Sequence, residues 1–422
     1  MNNLLYGIHE SPKTVKEYLL YAIQQVLAVF VATVLIANIC GTPIDACLVG
    51  GCLGTLLYQC ITKRNSPMFI SSSGATVSAV IGALAIGNSG NNYLAVAFGG
   101  LVIFAIYAGF SYVIKKNGIE IINKILPPII IGPITMVIGA NLASFISVYT
   151  QINGSHNDWG LIIAIITMGI VAFSSHYLKG FWKTIPFLLG LLGGYIVALL
   201  VTITGIAPII DFSSFHNIHI LSIPDFSFMH WDFTDFNIGV IGQTLIMFAP
   251  VAVCAICEHY SDHKVLSNII GTDLTKNPGL DRTLLGDGAA SLLGTIICGL
   301  PNTSYGESIA TTGFSKVAST KVISLAAIIL GLLAFIAPVQ AIIASIPSCV
   351  FGGCAMVLYG YIFASGLKTL VKSEVDLENN KNLIIVSVII TVGISGIWLF
   401  HSAFAGVSLA MVLGVALNLL LK

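Results

Sequence analysis

Long apolar stretches dominate this chain, and short polar breaks separate them. Most are long enough, or nearly so, to cross the hydrocarbon core of a bilayer as a helix. The pattern predicts fourteen segments, seven in each half of the chain. The first seven are Tyr18–Cys40, Ala46–Thr62, Pro67–Gly87, Tyr93–Ile114, Ile125–Ile146, Leu161–Phe173 and Thr184–Ile206. The second seven are Ile238–Asp262, Leu284–Cys298, Pro301–Ser315, Val322–Ile343, Cys349–Ala364, Leu383–Leu399 and Ala403–Leu421.

A polar stretch divides the two halves. We therefore predict a first unit over residues 1–206, an outer loop over 207–236 and a second unit over 237–422. Because seven is an odd number, the second unit enters the membrane with the opposite orientation. The pattern thus predicts a seven-plus-seven inverted repeat, a common architecture of secondary transporters.

Composition supports an all-α polytopic membrane protein. The chain is 56% hydrophobic and only 9% charged, with a mean hydropathy of +0.95. Soluble domains carry about 25% charged residues. The formal net charge is zero, which argues against a nucleic-acid-binding surface.

The basic residues test this arrangement. If the N-terminus is cytoplasmic and the segments alternate, all eighteen Lys and Arg residues fall on the cytoplasmic side. The predicted outer loop contains four aspartates and no Lys or Arg. The sequence therefore predicts that both termini are cytoplasmic.

Segments three and ten share an unusual beginning. Each runs from a proline (Pro67, Pro301) through a short extended stretch to a glycine (Gly74, Gly306), and then into small residues. Non-helical backbone is tolerated inside a membrane only where protein buries it or where it lines a cavity. We expect two short antiparallel strands that meet near the midplane, each followed by a half-helix. The alternative is two short capped helices.

Two acids four residues apart, Glu258 and Asp262, share one face of segment eight. A carboxylate in hydrocarbon costs several kcal/mol unless it is paired or hydrated. Two on one face indicate an internal, partly wet cavity. The alternative is that segment eight ends early and that these acids lie in the cytoplasmic headgroup layer, together with His263 and Lys264.

A third acid, Glu307, follows Gly306 at the start of the second half-helix. Backbone N–H groups at a helix start donate hydrogen bonds, whereas a carboxylate accepts them. This combination suits a small planar molecule with both N–H and C=O edges, such as a nucleobase or another cyclic imide. The alternative is that Glu307 only caps its own helix.

For the other polar residues the sequence predicts alternative roles. Gln25 in segment one either binds the ligand or bridges two helices. Ser71, Ser72 and Ser73 are expected to satisfy local backbone, with one of them facing the ligand. Asp287, between two glycines, is expected to lie at an interface or to cap a helix.

Three other function classes deserve comparison. An anion carrier of the same inverted type would need a basic or neutral site, and this site is acidic. A membrane hydrolase using Glu258, His259 and Asp262 would need a metal or a nucleophile, and neither H-E-x-x-H nor G-x-S-x-G occurs. A channel would need a ring of repeated ligands. We therefore expect a transporter rather than an enzyme, with no metal and no cofactor other than a coupled proton.

The pattern of these residues resembles the nucleobase–ascorbate transporter family, and most of all its bacterial uracil–proton symporters. The likeness runs over nearly the whole chain, and its most specific part is the stretch Pro301–Ile309. The remaining matches are Glu258 and His259 with Asp262, Gln24 with Ala28–Thr33, Ser72 with Ser73, Asn277–Arg282 and Tyr6–Pro12.

The resemblance implies a core domain of segments 1–4 and 8–11 and a gate domain of segments 5–7 and 12–14. It implies that Glu258 and Glu307 accept the N–H groups of the base and that backbone at Gly74 and Gly306 lines the site. The remaining implied substrate contacts are Tyr305 and Ala32, which would pack on the ring, with Ser73 and Gln25 beside them. An elevator-like movement, frequent dimer formation and a bacterial cytoplasmic membrane are also implied.

The chain departs from the uracil symporters at three positions. They carry histidine where this chain has Asp262 and Gln25, and an aromatic residue where it has Gly74. Glu307 is similar to the uracil branch, whereas Asp262 is similar to the purine branch. Uracil is thus the first expected substrate, with xanthine or another purine second, and the coupled proton is expected on Asp262, Glu307 or Glu258.

Overall fold

The computed structural model describes residues 4–86, 91–118, 127–143, 146–149, 151–152, 155–212, 215, 220–234, 236–399 and 401–421. The chain is mostly helical. In the first half the helices are α1 (Val15–Cys40), α2 (Ile44–Ile61), α3 (Val77–Leu84), α4 (Tyr93–Asn117), α5 (Pro128–Ala143), α6 (Asp158–Tyr177) and α7 (Pro186–Ile203). In the second half they are α8 (Ile238–Ile270), α9 (Leu280–Cys298), α10 (Gly306–Ser315), α11 (Thr320–Leu333), α12 (Ala337–Ala344), α13 (Ser348–Lys372), α14 (Asn380–Ser395) and α15 (Gly406–Leu420).

Some predicted features fall outside the described residues. They are Gly87, parts of the fifth predicted segment at residues 125–126 and 144–145, and two of the basic residues used for the orientation, Lys124 and Lys422.

Small polar residues begin several helices, and glycines end several. The Thr14 side chain accepts a hydrogen bond from the backbone N–H of Glu17 at the start of α1, and Asn237 accepts from two amides at the start of α8. Gly41 and Gly271 end the same two helices in the left-handed conformation. These caps satisfy backbone groups that a helix end leaves unpaired.

Seven of the described helices are long and apolar enough to cross a membrane: α1, α2, α4, α6, α7, α8 and α13. Five further apolar helices are shorter: α3 with its preceding 3₁₀ turn, α5, α11, α14 and α15. The chain is therefore a multi-pass membrane protein. The count of fourteen segments and their seven-plus-seven arrangement stay predictions.

Two helices differ in extent from the predicted segments. Helix α8 has 33 residues and runs on to Ile270, so Asp262 lies well inside it rather than at its end. The eleventh predicted segment divides into α11 and α12, because Pro338 at the start of α12 begins a new helix.

Among the described residues, six strands form three antiparallel pairs: β1 (Ile70–Ser72) with β4 (Asn302–Ser304), β2 (Gln151–Ile152) with β3 (Ser155–His156), and β5 (Trp398–Leu399) with β6 (His401–Ala405). The first pair confirms the two predicted strands. The other two pairs were not predicted. Strands β5 and β6 lie at the adjoining ends of two predicted helical segments, where a short apolar run does not distinguish a strand from a helix.

The helices pack in two groups. In one, α4 packs on α8 and α9, while α2 packs on α9 and α11. In the other, α13 packs on α5, α6 and α7, and α14 lies against α5 and α15. Helix α1 touches both groups, through α2 and α11 on one side and α7 and α13 on the other. The division of the chain into a core and a gate domain stays a prediction.

Strands β1 and β4 come from different halves of the chain and pair with each other. Ile70 pairs with Ser304, Ser71 with Thr303 and Ser72 with Asn302. A 3₁₀ turn over Gly74–Thr76 and helix α3 follow β1, and helix α10 follows β4 directly. Each strand is thus followed by a half-helix, as the sequence predicted.

Side chains from α2 and α9 hold this strand pair in place. Thr55 donates a hydrogen bond to the carbonyl of Ile70 at 2.7 Å and accepts one from its amide at 3.0 Å. The Asn302 amide nitrogen donates to the carbonyls of Gly50 and Ala290 at 3.0 and 3.1 Å. The backbone of Ile70 and the amide nitrogen of Asn302 therefore find their partners within the protein, as a membrane interior requires.

A proline inside α8 is compensated from another helix. Pro250 has no N–H, so the carbonyl of Ile246 loses its usual helical donor. The hydroxyl of Ser408 in α15 donates to this carbonyl at 2.8 Å. The bond joins α8 to α15.

The N-terminal segment is hydrogen-bonded to the linker that follows α10. The amide of Leu5 donates to the carbonyl of Lys316 at 2.8 Å, and the amide of Ala318 donates to the carbonyl of Tyr6 at 2.9 Å. The Ser319 hydroxyl donates to the carbonyl of Glu10 at 2.6 Å. The end of the half-helix that carries Glu307 is therefore fixed to the start of the chain.

Candidate functional site

Helix α8 has two polar faces with different surroundings. Glu258 is exposed and Asp262 is half-buried, whereas His259 and His263 are fully buried. Residues at i and i+4 share a helix face, so the two acids form one row and the two histidines the next. The row of acids is thus accessible, more at Glu258 than at Asp262, whereas the row of histidines packs into the protein.

Asp262 is tied to the strand pair. The hydroxyl of Ser304, the last residue of β4, donates to Oδ2 of Asp262 at 2.7 Å. A strand in the broken segment ten therefore positions a side chain of α8. The position of Asp262 well inside α8 contradicts the alternative in which that helix ends early.

The start of α10 is also accessible. Gly306 is exposed, and a Cβ atom added to it would meet no neighbour within 4 Å among the described atoms. Glu307 is half-buried beside it. Tyr305 makes no capping hydrogen bond, but the carboxyl of Glu307 hydrogen-bonds its own backbone amide, as the capping alternative expected. The amide of Gly306 is left to bind an electronegative atom.

The three acids are close enough to interact electrostatically. Glu258 interacts with Glu307, and Asp262 interacts with both. Among the residues that the structure describes, no Lys or Arg is buried. The site is thus an acidic one without a buried cationic side chain from the described chain.

Gly74 lies opposite α10 at the end of the other strand. A Cβ atom at this position would meet only Ile36 of α1 and Ile362 of α13, at 3.7 and 3.9 Å. These are ordinary contact distances, so there is room for a side chain here. Gly74 also borders α13, which belongs to the second packing group.

Gln25 joins α1 to α10. Its amide nitrogen donates to the hydroxyl of Thr312 at 3.1 Å, so Gln25 bridges two helices, which is one of its two predicted roles. Its Oε1 atom is buried without a hydrogen-bond partner among the described residues. The other interpretation, that Gln25 binds the ligand through this oxygen, stays a prediction.

The serines of β1 differ from expectation. The Ser71 hydroxyl lies 2.8 Å from that of Thr33, a side chain of α1 rather than local backbone. The hydroxyls of Ser72 and Ser73 are buried with no partner in the described part of the chain. The prediction that these serines satisfy local backbone is therefore wrong, because the antiparallel partner β4 supplies the backbone bonds.

Tyr305 and Ala32 are both buried, with 4% and 3% of their surface exposed. The Tyr305 hydroxyl lies 3.4 Å from the hydroxyl of Thr33 and so points toward α1. Their packing on a bound ring stays a prediction.

The sequence placed two further residues wrongly. Asp287 is fully buried in α9 and its Oδ2 lies 2.5 Å from Nδ1 of His259, so it is neither interfacial nor a cap. His263 is also fully buried, and its Nε2 lies 2.7 Å from the Tyr58 hydroxyl. The glycines beside Asp287 allow α9 to pack closely on α2 and α4, and this packing buries it. The sequence did contain a sign of this burial, because an acid between two glycines lies where neighbouring helices can pack closely around it.

Comparison with solved structures places the fold among membrane transporters. The transmembrane domain of a cyanobacterium bicarbonate transporter, BicA, superposes with a TM-score of 0.66 at 14% identity, covering 98% of both chains. SLC26A9 superposes with a TM-score of 0.65 at 13% identity, covering 96% of this chain and 66% of its own. At such low identity the likeness concerns the fold alone.

Sequence comparison is more specific. The model of a permease family matches residues 16–402. The uracil permease of Bacillus subtilis (strain 168) is 35% identical over 425 residues, which is 98% of this chain and 94% of that protein. The uracil permease of Escherichia coli (strain K12) is 31% identical over 430 residues, covering 100% and 95%. The chain therefore belongs to this permease family, as its resemblance to the nucleobase–ascorbate transporters led us to expect.

Proposed function

We propose that this protein is a secondary transporter that imports a nucleobase, with uracil as the first substrate, together with a proton. One observation carries the proposal: the exposed Glu258 of α8 and the half-buried Glu307 of α10 interact electrostatically beside the antiparallel strands β1 and β4. Two acceptors on different elements, beside the exposed start of a half-helix, suit a planar ligand with both N–H and C=O edges.

The chemistry of uracil matches this arrangement. Each ring N–H of uracil donates a hydrogen bond, and a carboxylate is a strong acceptor. A carbonyl oxygen of the base accepts from the backbone amide of Gly306. Tyr305 and Ala32 are the proposed packing partners of the ring, with Ser73 and Gln25 beside it.

The choice of base rests on two features. The curated relatives named above are uracil permeases, which supports uracil. The open space at Gly74 and the aspartate at position 262 favour a larger ring such as xanthine, which we keep as the second candidate.

The transport cycle is proposed as follows. Asp262, Glu258 or Glu307 takes up the coupled proton, because mutually interacting carboxyls cannot all stay ionised at low cost. The group formed by α1–α4 and α8–α12 moves as an elevator against the group formed by α5–α7 and α13–α15. Both termini lie on the cytoplasmic side of the cell membrane.

Two other functions fit the geometry less well. An anion would meet three acids at this site and no buried Lys or Arg in the described part of the chain. In a hydrolase His259 would have to reach the ligand, but both of its ring nitrogens contact Asp287 and Thr283 within the protein.

Thermal stabilisation of the purified protein tests the proposal. The panel is uracil, thymine, xanthine, uric acid, hypoxanthine, guanine and adenine. A ligand at 100 times its dissociation constant adds about 2.7 kcal/mol to the free energy of unfolding. We expect uracil to raise the melting temperature; no shift with any base contradicts the nucleobase assignment.

Two variants test the site. Glu258→Gln and Glu307→Gln each replace an acceptor for the base by a neutral amide. We expect each to weaken uracil binding at least about tenfold, because a hydrogen bond to a charged group contributes about 1.5–3 kcal/mol. Glu378→Gln, on an exposed loop residue, is the matched control and should bind as wild type. Unchanged affinity in both site variants would refute their role.

A further inference from the structure

Behind the acidic face of α8 lies a buried pair that the proposed mechanism does not use. Nδ1 of His259 lies 2.5 Å from Oδ2 of Asp287, and both side chains are fully buried. His259 is the chain neighbour of Glu258. Asp287 interacts electrostatically with Glu258 and Asp262. Any change in the charge of the pair therefore reaches the two acids.

The hydrogen bonds determine how many protons the pair holds. The hydroxyl of Thr283 donates to the carbonyl of Leu280 at 3.2 Å, so its oxygen is left to accept from Nε2 of His259 at 3.1 Å. Nε2 therefore carries a hydrogen. One further proton must lie between Nδ1 and Oδ2, since two bare acceptors at 2.5 Å would repel each other.

That proton makes the pair neutral wherever it resides. On Nδ1 it gives an imidazolium beside a carboxylate, and on Oδ2 it gives a neutral imidazole beside a carboxylic acid. The Asp287 carboxyl also interacts with the backbone of Ser304, so its partners are His259 and a strand of the broken segment ten.

The neighbouring histidine does not extend a proton pathway. Nδ1 of His263 donates to the backbone carbonyl of His259 at 2.8 Å, and its ring lies at a tilt of 33° to that of His259 with centroids 4.0 Å apart. No ring nitrogen of one bonds to a ring nitrogen of the other. The titratable groups that face the pair are Tyr58 from α2, Tyr107 from α4, and Glu258, Asp262 and His263 from α8.

We propose that His259 and Asp287 form a proton-sharing pair of net charge zero that sets the pH range in which Glu258 and Asp262 exchange the coupled proton. Both are positioning residues, because neither is placed to touch the substrate. The transport part of this inference rests on the proposed function, whereas the shared proton does not.

The pH dependence of uptake into proteoliposomes tests the functional part. In His259→Gln, Asp287 loses its proton as the pH rises and leaves an uncompensated charge beside Glu258. A nearby like charge makes a carboxyl hold its proton more tightly, so the alkaline limb of uptake should move up by about one pH unit.

Two variants separate charge from packing. Asp287→Asn and the double variant His259→Gln/Asp287→Asn have no ionisable acid at this position and should keep the wild-type midpoint, whatever their rates. His230→Gln is the matched control, since His230 contacts Asp225 at 2.6 Å but both are exposed. A wild-type midpoint in His259→Gln, or equal shifts in all the variants, would overturn the proposal.

A second measurement does not depend on transport or on the stability of the variants. Nitrogen-15 spectra of the wild-type protein in lipid, labelled at its nine histidines, report the protonation of each ring nitrogen. We expect the Nδ1 of His259 to be protonated or to share a proton at neutral pH. An unbonded Nδ1 would refute the pair. If no base is bound or transported by the wild type, the proposed function fails and this spectrum alone decides on the shared proton.

Discussion

Ser304 donates a hydrogen bond to Asp262 across 2.7 Å and thereby connects the strand of one broken segment to the acidic face of α8. The two residues are 42 positions apart in sequence. Asp262 thus has a fixed partner at the end of β4, where the half-helix that carries Glu307 begins. Any movement of α10 relative to α8 must stretch or break this bond.

Removing the hydroxyl should weaken the site. In Ser304→Ala the carboxyl of Asp262 loses this donor, and hydrogen bonds to charged groups contribute about 1.5–3 kcal/mol. We expect uracil affinity, measured by titration calorimetry, to fall about tenfold. The exposed Ser373→Ala is the control. Wild-type affinity in Ser304→Ala would show that Asp262 does not depend on this bond.

Gly306 and Gly100 should respond oppositely to alanine. A Cβ atom at Gly306 meets nothing within 4 Å, so Gly306→Ala should fold with a nearly unchanged melting temperature but lose the stabilisation by uracil. At Gly100 the same atom would lie 1.9 Å from the Thr295 hydroxyl. Gly100→Ala should therefore lose about 1–3 kcal/mol of stability. A Gly306→Ala protein that binds uracil normally would place the ligand elsewhere.

The space at Gly74 should control the size of the base. A phenyl ring introduced by Gly74→Phe would occupy the room bordered by Ile36 and Ile362. We expect this variant to retain uracil and to lose any stabilisation by xanthine. Gly109→Phe, at an exposed position of α4, is the control. Binding of xanthine by Gly74→Phe would exclude this position as the size filter.

Ser408 and Pro250 should be energetically coupled. In Ser408→Ala the carbonyl of Ile246 loses its donor, and an unsatisfied buried group costs about 1–3 kcal/mol. In a Pro250→Ala background the alanine N–H can bond to this carbonyl, so Ser408→Ala should cost much less there. Melting temperatures of the four proteins complete the cycle. Equal costs in both backgrounds would contradict the compensation.

The sequence was sufficient for the membrane character, the strands of the two broken segments and the half-helices that follow them. Those features depend on local properties: apolar length, a proline before an extended stretch, and a glycine before small residues. The family could also be identified from residues along the chain, because Glu258, Asp262 and the stretch around Glu307 are recognisable without a structure.

Tertiary packing alone decided the rest. Asp287 looked interfacial in sequence, but close packing of α9 against α2 and α4 buries it beside His259. His263, which one alternative placed in the headgroup layer, is buried in α8 against Tyr58. The side chains of the β1 serines do not bond to local backbone as predicted, because β4, about 230 residues away in sequence, pairs with the backbone of β1. A buried polar side chain takes whichever partner the fold brings to it, and sequence spacing contains no record of contacts made across the membrane bundle.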